Sequence, residues 1–192
     1  GNGRLGMDPL PPGEPWRFGA VSTTRWSGVP LRLLLDRAGV QAGAVEVVAL
    51  GADAGLRDDA DGEVRFVRSL PLADALHPDT IVATHMDGAP LTADHGAPVR
   101  LIVPGWYGMA SVKWLAALEV ATTPFTGYFQ RQRYVYDVDG VIEPVRRARV
   151  KSMIATPHDG ATCERRVLVQ GWAWSGAGAI ARVELSVNEA PV

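Results

Sequence analysis

Residues 94–114 carry the side chains whose types and spacing best suit a charged ligand. The segment reads DHGAPVRLIVPGWYGMASVKW, with a histidine and an arginine before an apolar run and a serine and a lysine after it. Arginine is suited to bidentate contacts with phosphate, and the glycine-rich turn at 104–108 can bring backbone amides close to an anion. The candidates for holding an anionic ligand with several rings are therefore His95, Arg100, Ser111 and Lys113.

The same residues also fit two other interpretations. His95 and Arg100 can be a loop histidine and a surface arginine, and the turn at 104–108 can simply pack two aromatic rings. A hydrolase triad of Asp94, His95 and Ser111 is a second alternative. The sequence disfavours the triad, because Ser111 lacks the G-x-S-x-G strand-to-helix turn and adjacent residues of an extended segment point to opposite sides.

Composition limits the protein class. The chain has 192 residues, 47% of them hydrophobic and 21% charged, which supports a folded core of one large domain or of one domain with part of a second. The net charge of -2 provides no general attraction to nucleic acid. Apolar runs are far shorter than the roughly 20 residues of a membrane-spanning helix. The single cysteine, Cys163, excludes an intrachain disulfide and a cysteine-based zinc site. No export signal is recognisable, and the compartment stays open.

The elements that must position the candidate residues follow from periodicity. Apolar and β-branched runs predict strands at 45–50, 64–67, 80–85 and 99–103, with 112–120 extended or briefly helical. Helices are predicted at 31–38, ending at Gly39, and at 71–76, with Ser69 near its cap. Turns are predicted at 58–62, 86–88 and 139–140. Short strands and helices without a regular βαβ repeat favour the α+β class.

The character of the chain changes near residues 137–149. Glu143 and Pro144 are predicted to form a linker, and alternating apolar residues around 150–153, 167–169 and 183–187 predict three strands of a β-sandwich. Three strands cannot close a sandwich, so this part is expected to lean on its neighbour or to continue beyond the chain.

Residue types alone raise two further candidate sites. GNGRLG at 1–6 satisfies the dinucleotide fingerprint G-x-G-x-x-G in letters only, because no strand precedes Gly1 and the proline-rich segment 7–13 cannot begin a helix. Tyr134, flanked by Arg131 and Arg133, can either face a small oxyanion or seal a domain edge, and residue types leave both uses open.

An ordered set of motifs closely resembles the sulfite oxidase family of molybdopterin enzymes. The motifs span almost the whole chain and are GNxR at 1–4, Trp16, GAVSTTRWSGV at 19–29, DHGxPVR at 94–100, PGWYGMASVKW at 104–114 and GWAWSG at 171–176. The resemblance implies a mixed α+β domain at 1–143 that binds the molybdenum cofactor. It also implies that residues 144–192 are the incomplete start of an immunoglobulin-like domain. In the family, this domain often forms a homodimer contact.

The resemblance also implies roles for individual residues. It assigns the pterin and its phosphate to His95, Arg100, Ser111 and Lys113, with Asp53 as a further contact, and an oxyanion substrate pocket to Arg4, Trp16 and Tyr134. The implied chemistry is oxygen-atom transfer at molybdenum on a small oxyanion or sulfur compound, with electrons passed singly to a haem or cytochrome partner. The alternative is an interaction or dimerisation module that keeps the fold without the cofactor.

Two departures from the family pattern qualify that expectation. The family's molybdenum ligand is a cysteine two places before the glycine that matches Gly1, so the chain is expected to be an internal piece of a larger enzyme and inactive alone. Sulfite-oxidising members also carry an arginine shortly after the tryptophan-serine-glycine motif. Here no arginine follows Gly176 until Arg182, which argues against sulfite as the substrate.

Overall fold

The computed structural model describes residues 3–11, 13–188 and 190–191. Gly1 and Asn2, which open the first motif, lie outside the described residues. The strands, in chain order, are β1 Trp26–Pro30, β2 Glu46–Leu56, β3 Glu63–Pro71, β4 Ile81–Met86, β5 Ala89–Pro90, β6 Arg100–Ile102, β7 Leu115–Ala121, β8 Val135–Val138, β9 Val141–Pro144, β10 Lys151–Thr156, β11 Gln170–Trp174, β12 Ser186–Val187 and β13 Ala190–Pro191. The α-helices are α1 Leu31–Ala38 and α2 Leu72–Ala75. The fold is thus mostly β with few helices, and its helical share is smaller than the predicted α+β class suggests.

Two antiparallel sheets enclose the core. One has the strand order β3-β2-β7, and the other has the order β1-β4-β5 with β6 also paired to β4. Between them lie buried apolar side chains from both sheets and from α1 and α2, including Leu31, Val47, Leu70 and Leu101. Short 3-10 helices at Ala93–His95 and Gly108–Ala110 flank β6. The core therefore fixes the strand ends and turns that carry the candidate residues.

Local chemistry accounts for the elements that were predicted correctly. Leu31 and Leu35 are four residues apart, so they share the buried face of α1, and Gly39 ends the helix at φ 76° as expected. Asp87 and Gly88 both have positive φ, as a two-residue hairpin turn requires, and they join β4 to β5. These predictions are confirmed.

Two local predictions are wrong. Ser69 does not cap α2, because β3 extends to Pro71 and the backbone N–H of buried Ser69 donates to Gln130 Oε1 at 3.4 Å. Glu143 and Pro144 are not a linker, because they belong to β9, which pairs with β8 across the turn at Asp139 and Gly140. The sequence thus predicts the turn correctly but not the strand on its far side.

The part after residue 144 contains less regular structure than the alternation predicts. β10 pairs with β11, and β12 pairs with β13 in a short separate hairpin. Val167 and Val169 both precede β11, and Val183 and Leu185 precede β12, so only Val187 of these two apolar runs lies in a strand. The pairings among the described residues do not build a sandwich. The immunoglobulin-like domain and the boundary between 1–143 and 144–192 stay predictions.

A glycine-to-glycine contact joins the two parts. Ala148 N–H donates to the Gly105 carbonyl and Gly176 N–H donates to the Ala148 carbonyl, each at 2.8 Å. A Cβ on Gly176 would overlap the Gly105 carbonyl oxygen. The contact is reinforced where Arg147 Nη2 donates to Asp74 Oδ1 at 2.6 Å. The motif at 104–114 thus touches the motif at 171–176 through backbone atoms.

No helix among the described residues is long and apolar enough to span a membrane.

Candidate functional site

A cavity of about 130 Å³ lies where β2, β3 and β6 meet the loop that precedes β7. Its lining residues come from four separate stretches of sequence and are Asp53, Phe66, Arg100, Gly108, Met109, Ser111 and Lys113. Four of the five residues predicted to bind the cofactor are in this lining, and His95 is not. Residues distant in sequence are brought to one place, as a binding site requires.

Arg100 joins the two motifs that border the cavity. Its guanidinium donates through Nη1 to the His95 carbonyl and through Nη2 to the Ser111 carbonyl, both at 3.0 Å. The guanidinium also lies 4.7 Å from the ring centroid of Trp26. Burial lowers the pKa of Arg100, because loss of water disfavours the charged form. An anion in the cavity would oppose that effect.

Lys113 provides a second cation in the lining. Its Nζ donates to the Asp94 carbonyl at 3.0 Å and lies 4.1 Å from the ring centroid of Trp114. Gly96 makes room for this side chain, because a Cβ there would lie 2.8 Å from Lys113 Cβ and Gly96 has φ 97°. An ammonium group has three donors, so a held Lys113 can still donate to an anionic ligand.

Ser111 and Asp53 complete the polar lining. Ser111 Oγ accepts from the Val103 backbone N–H at 3.2 Å, which leaves the hydroxyl proton available for a ligand. Asp53 Oδ1 is buried and has no hydrogen-bond partner, although a buried carboxylate oxygen without a donor is costly. The cavity therefore offers an acceptor that suits ligand N–H groups and cations that suit ligand phosphate.

His95 has a different environment from the one expected. It is exposed, and its Nδ1 lies 2.7 Å from Thr92 Oγ1. Its backbone carbonyl, rather than its imidazole, is tied to the cavity through Arg100. His95 Nδ1 is paired with Thr92 Oγ1, and among the described residues no hydrogen bond joins His95 to Ser111, so the two side chains do not form the nucleophile and base of the alternative triad.

The three residues predicted to contact substrate fall in two places. Arg4 and Trp16 belong to one loop, in which Leu5 N–H donates to the Trp16 carbonyl at 3.1 Å and Arg4 Nη2 donates to the Pro11 carbonyl at 3.4 Å. Trp16 is 52% exposed. This loop has its own cavity of about 310 Å³, lined by Gly3, Leu5, Gly6, Arg17 and Phe18.

Tyr134 belongs to an aromatic cluster beside the first cavity. Its ring stacks on Phe129 with centroids 6.0 Å apart and meets Phe66 edge-on at 6.4 Å. Phe66 also lines the first cavity. Tyr134 therefore packs against one wall of that cavity without itself lining it.

The structure adds Arg68, which the sequence interpretation missed. It is only 1% exposed, donates to the Phe129 carbonyl and, at 2.8 Å, to the Val145 carbonyl, and lies 5.7 Å from the Tyr134 ring centroid. Burial lowers its pKa to about 10. Alternation along β3 was the available signal, because Phe66, Arg68 and Leu70 point to the same side of a strand.

Together, the β-rich fold and the cationic cavity form a site suited to an organic anion. Residues 1–129 match the family described as "Oxidoreductase molybdopterin binding domain". The chain belongs to this family, and the cofactor of the complete protein is molybdenum-molybdopterin.

Similarity to individual proteins extends over most of the chain. Mitochondrial sulfite oxidase from Macaca fascicularis is 37% identical over 190 residues, covering 92% of this chain and 34% of that protein. NADH nitrate reductase from Solanum lycopersicum is 34% identical over 205 residues, covering 90% of this chain and 22% of that protein. The sulfane dehydrogenase SoxCD from Paracoccus pantotrophus has a similar structure, with a TM-score of 0.74 at 30% identity, covering 88% of this chain and 43% of that one. The chain thus spans about a third of the length of the sulfite oxidase.

The cavity fits the cofactor of the family. The unpartnered Asp53 Oδ1 offers an acceptor for pterin N–H groups, and Arg100, Ser111 and Lys113 offer donors for a phosphate.

Proposed function

We propose that this chain is part of a molybdenum-dependent oxidoreductase that acts on a small sulfur compound or oxyanion by oxygen-atom transfer. The observation that carries the proposal is the cavity in which Asp53, Arg100, Ser111 and Lys113 converge around a buried carboxylate oxygen without a partner. The bound cofactor supplies the two-electron chemistry, while the protein supplies binding, orientation and charge.

The lining residues divide the task of holding the cofactor. Lys113 and Ser111 donate to the phosphate, and Arg100 adds positive charge while its hydrogen bonds fix the backbones of His95 and Ser111. Asp53 accepts from the pterin and sets its orientation. His95 contributes through its backbone position and, once the cofactor is bound, through its exposed ring.

The substrate class is proposed from the two loop residues and from the named relatives. Sulfite oxidase and sulfane dehydrogenase are both named for sulfur compounds, and nitrate reductase for an oxyanion. Arg4 and Trp16 share a loop with a cavity that is lined by Arg17, and this positive charge suits the capture of a small anion. Tyr134 is proposed to form the wall of the substrate pocket that lies next to Phe66. A haem or cytochrome takes the electrons one at a time, and the chain is expected to be inactive alone.

The cofactor-free alternative, a module that only dimerises, is favoured by one observation. Large apolar side chains such as Val150 and Trp172 are exposed in the part after residue 144, as expected of a surface that meets a second copy. Such a module would leave Asp53 Oδ1 permanently unsatisfied, so the enzyme is the better proposal.

Cofactor content of the full-length natural protein tests the enzyme proposal. The protein is expressed with a molybdenum cofactor supply and assayed for molybdenum and pterin, both of which we expect to be retained. Absence of both from the wild-type protein would overturn the enzyme and support the module.

A glycine pair makes the test specific to the cavity. A Cβ on Gly51 would overlap Asp53 Oδ1, whereas a Cβ on Gly55 would meet no atom within 4 Å. Gly51→Ala should therefore displace Asp53 and reduce pterin content severalfold, while the matched control Gly55→Ala in the same strand retains it. Equal pterin content in both variants would show that Asp53 is not a cofactor contact.

A further inference from the structure

Lys151 extends from the later part of the chain to the loop that contains Arg4. It is the first residue of β10, is half-buried and pairs in register with Trp174, which begins the Trp174-Ser175-Gly176 motif. An ideal Cβ built on Gly3 would lie 3.9 Å from Lys151 Nζ. The ammonium group therefore lies beside the backbone of Gly3.

The surroundings of that ammonium suit an anion. Gly3 and Arg17 both line the cavity of about 310 Å³, and the described lining residues include no carboxylate. Gly3 N–H donates to the Arg17 carbonyl at 2.7 Å, which fixes the two strands of the loop together. The Phe18 ring, 3.4 Å from the same ideal Cβ, provides an apolar wall.

The arginine that follows the Trp174-Ser175-Gly176 motif does not supply this charge. Arg182 is exposed, and its Nη2 forms a surface ion pair with Glu184 Oε1 at 3.3 Å. Lys151, across the strand pair from Trp174, brings a cation from β10 to the loop.

We propose that Lys151 is a specificity-determining residue that binds the oxyanion group of the substrate at the cavity lined by Gly3, Arg17 and Phe18. This inference rests on the proposed function, in which the substrate pocket adjoins Arg4 and Trp16. It places one substrate-binding charge on β10, outside the domain that holds the cofactor.

Inorganic sulfate is the probe for a binding test on the full-length holoenzyme. Trp16, half-exposed in the same loop, provides a fluorescence signal for titration. Lys151→Gln should weaken sulfate binding about tenfold, as expected from the loss of one charge-assisted contact. Lys151→Arg should stay within about threefold of the wild type, because it keeps the charge. Added sodium chloride should weaken the wild type more than Lys151→Gln.

The control is Arg165→Gln, which also removes one positive charge, from an exposed residue between β10 and β11. Its sulfate affinity should equal that of the wild type. The proposal is overturned if Lys151→Gln binds sulfate as tightly as the wild type, if the wild type binds none, or if Lys151→Arg loses affinity as fully as Lys151→Gln. The last result would assign the loss to structure and not to charge.

Steady-state kinetics separate this inference from the proposed function. The substrate for this assay is an anionic sulfur compound that the holoenzyme oxidises. Lys151→Gln should raise KM about tenfold and change kcat little, because Lys151 contacts the substrate in both the ground state and the transition state. Charge-dependent sulfate binding without turnover or molybdenum would refute the proposed function and leave the anion site standing. Turnover with unchanged KM in Lys151→Gln would overturn the anion site and leave the proposed function standing.

Discussion

Residues 31–130 and residues 145–191 contain similar alternating apolar sequences but bury them to different extents. Every described residue classed as buried lies between Leu31 and Gln130, and no described residue after Gln130 is buried. Val150 is 71% exposed and Trp172 is 65% exposed. In the first region, buried side chains from both sheets form one apolar cluster, whereas none of the described members of that cluster comes from β10 or β11. Alternation thus reports that a strand has an apolar face, and only tertiary structure decides whether that face is covered.

The two regions also differ in the burial and bonding of their charged side chains. In the first region, Arg68 and Glu46 are buried and bonded to backbone groups of distant segments, Arg68 to Phe129 and Val145, and Glu46 to Phe125. In the second, Arg182 and Glu184 form an exposed pair. The buried charges of the first region are therefore part of the tertiary structure, whereas the exposed pair of Arg182 and Glu184 contributes little to it.

The largest expected effect is on Arg68. Arg68→Ala removes two charged hydrogen bonds and leaves the Phe129 and Val145 carbonyls without that donor, while relieving the desolvation of the guanidinium. We expect a net loss of about 3 kcal/mol in the free energy of unfolding, measured by urea denaturation. Arg182→Ala, the matched change in the second region, should stay within about 0.5 kcal/mol of the wild type. Equal effects at the two sites would remove the contrast between the regions.

A smaller effect is expected where the regions meet. Gly176→Ala would drive a Cβ into the Gly105 carbonyl, so the backbone must shift, at a cost of about 2 kcal/mol. Gly178→Ala is the control, because a Cβ there would meet no atom within 4 Å. Limited proteolysis should cleave residues 145–191 of Gly176→Ala faster than those of Gly178→Ala. The same cleavage rate in both would mean that the second region does not depend on this contact.

The smallest effect concerns how pH changes the attachment of the segment before Thr24 to the rest of the fold. The Thr24 hydroxyl and then the Arg25 backbone N–H donate to the Asp87 carboxylate, and both lower its pKa. A lowered pKa stabilises the folded form above the unfolded value of about 3.9, and the stabilisation is lost as pH falls through the folded value. Proteolysis of the segment before Thr24 should therefore accelerate in acid.

Asp87→Asn is the control for that titration. Asparagine tolerates the φ of 50° at this position, and it keeps a side-chain acceptor without a titrating group. The acid-dependent acceleration should disappear in this variant. If it persists unchanged, another group controls the attachment.

Predictions from sequence succeeded where neighbouring residues determine the structure. Gly39 ends α1, and Asp87 and Gly88 form a hairpin turn. The motif at 94–114 also supplies Arg100, Ser111 and Lys113 to one cavity, and their role in binding the cofactor stays a prediction. In each case the chemistry is contained in a short stretch, such as a positive φ or a cation beside a glycine-rich turn.

The remaining features depend on contacts between distant segments. Arg68 can be buried because the carbonyls of Phe129 and Val145 accept hydrogen bonds from its guanidinium. The sequence of a strand does not show which carbonyls will face it. Pro144 occupies the end of β9, an edge position that tolerates a missing N–H. The family resemblance assigns Tyr134 to a substrate pocket together with Arg4 and Trp16, but the Tyr134 ring contacts Phe66 and Phe129. Whether all three bound one pocket stays a prediction.

The contact between Gly105 and Gly176 limits how this sequence can evolve. Most crowded contacts can be relieved when a mutation at one position is followed by a smaller side chain at its partner. Here each position already has the smallest residue, and the obstacle to a Cβ on either one is the carbonyl oxygen of the other, which every amino acid carries. No second substitution at the partner restores the fit, so the two glycines should remain fixed as a pair while the strands around them diverge.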